Sequence, residues 1–103
     1  MREKDVERIL VTGVRKLGGV AFKFVSPGND GVPDRLVVMP GGQIWFVELK
    51  TDAGRLSPRQ VAQTNRLNRL GCRTVVLYGA ADVADFLRHL QQEGGEADEV
   101  RTP

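Results

Sequence analysis

Two acidic residues and a lysine stand at positions where the strands of a small sheet would bring them together. Asp34 precedes one segment of β-branched residues, and Glu48 and Lys50 lie two residues apart near the end of another. Side chains on a strand alternate between its faces, so Glu48 and Lys50 point the same way. Two neighbouring carboxylates raise each other's pKa unless a cation compensates. A divalent cation with oxygen ligands would do so, and it would activate a phosphate ester towards hydrolysis.

The composition narrows the choice of metal. Cys72 is the only cysteine and His89 the only histidine, which argues against a thiolate or histidine-rich metal site and against a serine–histidine hydrolase. Any metal must be held mainly by oxygen atoms, which suits Mg²⁺ or Mn²⁺. The net charge is +2, and the chain before its acidic last residues is more basic than that. Such basicity is compatible with a polyanionic partner or with a solvated helix face.

Periodicity and turn chemistry predict the elements that must position these residues. Apolar residues recur at helical spacing in three segments, and β-branched and aromatic residues cluster between turn residues in four others. Helices are predicted at residues 3–17, 58–70 and 80–91, and strands at residues 20–25, 35–39, 43–50 and 74–78.

This order, α-β-β-β-α-β-α, predicts an α/β domain with a mixed four-stranded sheet flanked by helices. The turn at Pro40, Gly41 and Gly42 makes strands two and three antiparallel, and the helix before strand four makes strands three and four parallel. The domain is predicted at residues 1–92, and residues 93–103 are predicted to form an acidic, disordered tail. No signal-peptide core or membrane-spanning stretch is found, so a cytoplasmic location is expected.

The residues around the acids resemble a nuclease signature. Pro33-Asp34, a spacer of 13 residues and Glu48-Leu49-Lys50 resemble the motif of the PD-(D/E)xK nuclease superfamily. The wider pattern is similar to the VRR-NUC family, because it adds Glu7, Gly31-Val32, Arg35 and the helix start Leu56-Ser57-Pro58-Arg59-Gln60. The resemblance covers roughly residues 3–90 and implies a restriction-endonuclease-like fold.

The resemblance also implies a role for the central positions. Asp34 and Glu48 would bind a metal ion through their carboxylates, with the main-chain carbonyl of Leu49 as a further ligand. Lys50 would be the catalytic lysine. As alternatives, Glu48 and Lys50 could be an ordinary solvent-facing pair, and Asp34 could cap the turn after Pro33.

Two further side chains are implied to assist. Glu7, with Glu3 one turn before it on the same side of the helix, would approach the metal directly or through water. Gln60 would hold Lys50 or the substrate. Because Ser57-x-x-Gln60 is also a capping box, in which the glutamine turns back to the helix start, both roles of Gln60 stay open.

Three arginines are candidates for contacts with DNA: Arg35, Arg55 and Arg59. For Arg35 an internal salt bridge is an equal alternative. Trp45 and Phe46 on strand three are expected to lie in the core or an interface.

The resemblance thus implies an endonuclease that hydrolyses DNA with Mg²⁺ or Mn²⁺. Similar stand-alone proteins are typical of phages and prophages, and their relatives include Holliday-junction resolvases. This implies cutting of branched DNA by a homodimer, in the cytoplasm of a bacterium or a phage-infected host cell. The alternatives are a nicking or restriction-type nuclease with sequence preference, and a non-catalytic DNA-binding module on the same fold. Against the module, clustered carboxylates would repel DNA unless a metal neutralised them.

Overall fold

A mixed β-sheet forms the centre of the molecule. The computed structural model describes residues 1–101, with side chains described as far as residue 93. The elements are α1 (Glu3–Lys16), β1 (Val20–Lys23), β2 (Arg35–Met39), β3 (Gln43–Lys50), α2 (Pro58–Arg69), β4 (Thr74–Tyr78) and α3 (Gly79–Arg101). The order predicted from the sequence is confirmed.

The four strands lie side by side in the order β1-β2-β3-β4. β2 is antiparallel to both β1 and β3, and β3 and β4 are parallel. At the turn between β2 and β3, Gly41 and Gly42 have φ of 93° and 79°, values that favour glycine. The amide of Gly42 donates to the Met39 carbonyl at 3.0 Å and closes the turn. Both the predicted hairpin and the predicted parallel pair are therefore present.

α1 and α3 cover one face of the sheet and form the core with it. Val6, Leu10 and Val14 of α1 are fully buried, because their spacing of four residues places them on one side of the helix. The remaining core residues are Ala21, Val37, Met39, Val47, Leu49, Leu77, Val83, Phe86 and Leu90. The two helices approach closely at Gly13, where an added Cβ would lie 2.3 Å from Leu87 Cδ1.

α2 lies on the opposite face and contributes no buried residue. Val47 and Leu49 belong to the core, so Glu48 and Lys50, which alternate with them, face away from α1 and α3. Gln60 of α2 contacts Glu48 there. The second face of the sheet therefore carries the charged residues of β3 and the helix that packs next to them.

Two boundaries differ from the sequence prediction by more than one residue. β1 ends at Lys23, not at residue 25, although the Phe24 amide still donates to the Asp34 carbonyl at 2.7 Å. α3 continues to Arg101, beyond the predicted end at residue 91. The predicted acidic tail at 93–103 falls almost entirely outside the residues whose side chains are described, and it stays a prediction. Within the described chain, no helix has both the length and the apolar character needed to cross a bilayer.

We expect Leu10→Ala to lower the free energy of unfolding by about 2–5 kcal/mol, because it leaves a cavity between α1 and the sheet. Chemical denaturation with a two-state fit measures the change. Leu70→Ala is the matched control, since Leu70 is 72% exposed and its loss should change stability by less than about 0.5 kcal/mol. Equal losses for both variants would contradict the described core.

Candidate active site

The pairing of β2 with β3 brings Asp34 beside Glu48. Arg35 is paired with Val47, so one step further along the antiparallel ladder Asp34 lies next to Glu48. Asp34 Oδ2 accepts a hydrogen bond of 2.9 Å from the Leu49 amide, which fixes the carboxylate at the edge of β3. The structure thus brings the two acids of the motif together, as the sequence predicted.

Glu48 is almost completely enclosed, with 2% of its surface exposed. Its Oε2 accepts a 3.1 Å hydrogen bond from Gln60 Nε2 and lies 3.5 Å from Lys50 Nζ. Its Oε1 is buried and has no hydrogen-bond partner among the residues whose side chains are described. Oε2 is therefore hydrogen-bonded whereas Oε1 is not, and an unpaired buried oxygen lowers the stability of the fold.

The surroundings of Glu48 change its acidity. Burial is the largest cause, and together with the neighbouring Asp34 carboxylate it raises the pKa of Glu48 from 4.5 to about 7. The Lys50 ammonium acts in the opposite direction but does not cancel the rise. Near neutral pH this side chain therefore stands between its protonated and ionised forms in the metal-free protein.

A third carboxylate joins the pair from the first turn of α1. Carboxylate oxygens of Glu3, Asp34 and Glu48 all lie within 4.8 Å of one another. Three acids at this spacing repel each other, whereas a divalent cation with oxygen ligands would neutralise them and pair the unsatisfied Glu48 Oε1. The donor set fits such a cation.

Gln60 forms the capping box and also contacts the acidic cluster through Glu48, whereas its predicted role of holding Lys50 or the substrate stays a prediction. Its Oε1 accepts from the Ser57 amide at 2.8 Å, and Ser57 Oγ accepts from the Gln60 amide at 3.2 Å, which completes the capping box of α2. Its Nε2 meanwhile donates to Glu48 Oε2. Gln60 therefore reaches the site through Glu48, on the same carboxylate oxygen that Lys50 approaches.

Glu7 and Arg35 lie next to the acidic cluster but are engaged with each other. Arg35 Nη2 forms an ion pair with Glu7 Oε1, and Arg35 Nη1 donates to the Ala21 carbonyl at 3.0 Å. Glu7 lines a cavity of about 230 Å³ together with Glu3 and Asp34. Of the two glutamates one turn apart on α1, the structure thus places Glu3 in the cluster and Glu7 against Arg35.

The other predicted residues take different places. Leu49 lines the same cavity, and the role of its carbonyl as a ligand stays a prediction. Arg59 forms an ion pair of 2.9 Å with Asp30 outside the cluster, and Arg55 is exposed. Lys23, at the end of β1, also lines the cavity, and no sequence signal had singled it out. Its pairing with Arg35 explains its position.

Comparisons with known proteins agree with this geometry. No model of a known protein family matches the sequence. Over 77 residues the chain is 51% identical to "Putative nuclease p44" of Acyrthosiphon pisum secondary endosymbiont phage 1, which corresponds to 75% of this chain and 83% of that protein. A solved structure described as "VRR_NUC domain" superposes with a TM-score of 0.80 at 28% identity, covering 86% of this chain and 98% of the other.

The fold and its relatives define the class of protein. The mixed sheet flanked by helices, with the Asp34 and Glu-Leu-Lys motif at the edge of a hairpin, is that of a PD-(D/E)xK nuclease. Within that class, the chain belongs to the VRR-NUC family of nucleases.

The raised pKa of Glu48 predicts a pH dependence of stability in the metal-free protein. The native state holds this proton more tightly than the unfolded chain, so the contribution of Glu48 is complete below about pH 4.5 and is lost as pH rises through about 7. In EDTA, the thermal midpoint of the wild type should therefore fall more between pH 5 and pH 8 than that of Glu48→Gln, which cannot ionise. If the thermal midpoints of the wild type and Glu48→Gln fall by the same amount between pH 5 and pH 8, the raised pKa of Glu48 is wrong.

Proposed function

We propose that this chain is an endonuclease that uses Mg²⁺ or Mn²⁺ to hydrolyse phosphodiester bonds in DNA. The observation that carries the proposal is the cluster of Glu3, Asp34 and Glu48 within 4.8 Å, with Lys50 Nζ at 3.5 Å from Glu48. Carboxylates near a polyanion are unfavourable for binding alone, because they repel phosphates unless a cation lies between them. A hydrolytic metal site accounts for all four residues.

Asp34, Glu48 and the Leu49 carbonyl would hold the cation, with Glu3 as a further ligand from α1. Glu7 would act through water, since its carboxylate is already paired with Arg35. When bound, the cation supplies positive charge that polarises the phosphate and stabilises the leaving oxygen. The buried, unpartnered Glu48 Oε1 supports this ligand set.

The chain's own side chains position the reacting groups. Lys50 Nζ can donate to the attacking water and to a phosphate oxygen, which orients the water and stabilises the negative charge that develops. Gln60 holds Glu48 Oε2 and leaves Oε1 free for the cation. The water oxygen forms a bond to phosphorus and gives up a proton, one P–O ester bond breaks, and the leaving oxygen takes up a proton, so one water is consumed in all.

We infer that the substrate is branched DNA and that the active form is a homodimer. Symmetric cutting of two strands at a junction needs two active sites, and the described residues of one chain form one. Exposed apolar side chains at Val20, Phe22 and Ile44 leave surface on β1 and β3 that a second copy can cover. A nicking or restriction-type activity with sequence preference is the second candidate.

Of the three predicted DNA-contacting arginines, Arg55 and Arg59 are proposed to approach the phosphate backbone. Both are exposed. The Arg35 side chain is only 13% exposed and is bound to Glu7 and to the Ala21 carbonyl, so its proposed role is to position Glu7.

We expect Glu3→Gln to weaken Mn²⁺ binding by about 10-fold or more, a size typical of the loss of a supporting group at a metal site. Titration calorimetry on the full chain measures the affinity. Glu7→Gln is the matched comparison on the same helix, and its effect should be smaller because its carboxylate already pairs with Arg35. The reverse ranking would assign the ligand to Glu7.

We expect the purified protein to cut a labelled four-way junction with Mg²⁺ or Mn²⁺ and not with EDTA. Lys50→Ala should reduce the rate about 10²–10⁴-fold, as expected for loss of an acid–base group, and Asp34→Ala should abolish metal-dependent cutting. Gel analysis of junction, flap and plain duplex ranks the substrates and separates junction-selective cutting from nicking or restriction-type activity.

Lys16→Ala is the matched control for Lys50→Ala, because Lys16 is exposed on α1, which lies against the other face of the sheet. It should cut at the wild-type rate. If metal-dependent cutting survives both Lys50→Ala and Asp34→Ala, the assigned active site is wrong. A monomer in solution, measured by light scattering, would contradict the junction-resolving version of the proposal.

A further inference from the structure

A basic groove lies away from the acidic cluster, between α2 and the loop that precedes β2. A groove of about 380 Å³ is lined there by Gly28, Asn29, Asp30, Arg59, Ala62, Gln63, Arg66 and Arg69. We call it the α2 groove. None of these residues belongs to the cluster of Glu3, Asp34 and Glu48.

The α2 groove has a fixed wall. Asp30 Oδ2 accepts from Arg59 at 2.9 Å, and the Asp30 carbonyl accepts from Gln63 Nε2 at 3.2 Å. Gly31 follows with φ of 89°, and a Cβ there would lie 2.7 Å from the Arg59 carbonyl carbon. The loop is therefore held against the backbone of α2, and the groove does not depend on one long side chain.

The net charge of the α2 groove is positive, since three arginines line it against one aspartate. Asp30 compensates Arg59, whereas Arg66 and Arg69 form no ion pair among the side chains that the structure describes. Between Asp52 and Asp82 the sequence contains five arginines and no acidic residue. Solvated helices usually mix both signs, so an uncompensated pair of guanidinium groups over a groove favours a polyanionic ligand.

The position of the α2 groove relates it to the active site. Gln60 contacts Glu48 at the start of α2, and Arg66 and Arg69 follow about 9 Å and about 14 Å along the helix axis, at ~1.5 Å per residue. For a DNA strand that runs along α2, at about 3.4 Å per nucleotide, these distances would correspond to about three to four nucleotides.

We propose that the α2 groove binds backbone phosphates of the DNA about three to four nucleotides from the bond that is cut, through Arg66 and Arg69. This inference rests on the proposed nuclease function and adds a phosphate-binding site to it. The contacts go to the phosphate backbone and not to base edges, so they fix the register of the strand without reading sequence. Guanidinium groups suit this task because they bind phosphate oxygens in pairs.

The test measures how DNA binding depends on salt. Binding of a fluorescent duplex by the full chain is followed by anisotropy from about 50 to 300 mM KCl, with Ca²⁺ replacing Mg²⁺ and the recovered DNA checked for cuts. Each phosphate contact contributes about 0.9 to the slope of log K against log salt. Arg66→Ala with Arg69→Ala should therefore make the slope less negative by about 1.8, and Arg66→Lys with Arg69→Lys should keep it.

Arg15→Ala with Lys16→Ala is the matched control. It removes the same charge from exposed positions in the last turn of α1, about 18 Å or more along the helix axis from Glu3 at ~1.5 Å per residue, and the slope should stay at the wild-type value. Equal changes in both double variants would show a general charge effect and overturn the groove. Binding of polyglutamate is measured with the same variants. If Arg66→Ala with Arg69→Ala loses polyglutamate binding while its DNA slope is unchanged, the proposal is also overturned, in favour of an acidic protein segment as the ligand.

The wild type separates this inference from the proposed function. If it cuts DNA and the slope of the Arg66/Arg69 double variant is unchanged, the α2 groove alone is wrong. If the wild type neither binds nor cuts DNA, the nuclease proposal fails and the groove fails with it.

Discussion

A buried carboxylate beside a second carboxylate is an unfavourable arrangement in a protein, and the antiparallel register of β2 and β3 imposes it on Asp34 and Glu48. Glu48 is 2% exposed, so water does little to screen its charge. Burial and the neighbouring acid together raise the pKa of Glu48 to about 7. The fold keeps this costly pair in place, and the rest of the site is arranged around it.

Three elements supply four contacts that compensate the acids around this pair. β3 supplies the Leu49 amide to Asp34 and the Lys50 ammonium to Glu48, α2 supplies the Gln60 amide, and β2 supplies Arg35 to Glu7. None of these contacts reaches Glu48 Oε1. The unpaired Glu48 Oε1, together with the nearby Glu3 carboxylate, therefore defines the place that a cation can take.

The hairpin, the parallel pair and the meeting of Asp34 with Glu48 followed from local sequence, because turn residues and strand alternation determine them. Local sequence did not show which of Glu3 and Glu7 joins the acidic cluster, since both lie on the same side of α1. Glu7 instead forms a long-range ion pair with Arg35, and sequence spacing cannot show such a contact. The end of α3 was likewise missed, because the sequence after residue 91 is polar and acidic and lacks the apolar helical spacing on which the prediction depended, whereas the helix runs to Arg101.

α2 buries none of its residues, and polar contacts around its first turn hold it to the sheet. A helix with no buried residue is expected to open by local unfolding at a lower free energy than α1 or α3, whose apolar sides lie in the core. The amide group of Gln60 accepts at the helix start with its oxygen and donates to Glu48 with its nitrogen. Opening of that turn would therefore also remove the Gln60 contact to Glu48, and a ligand that binds along α2 would stabilise that contact.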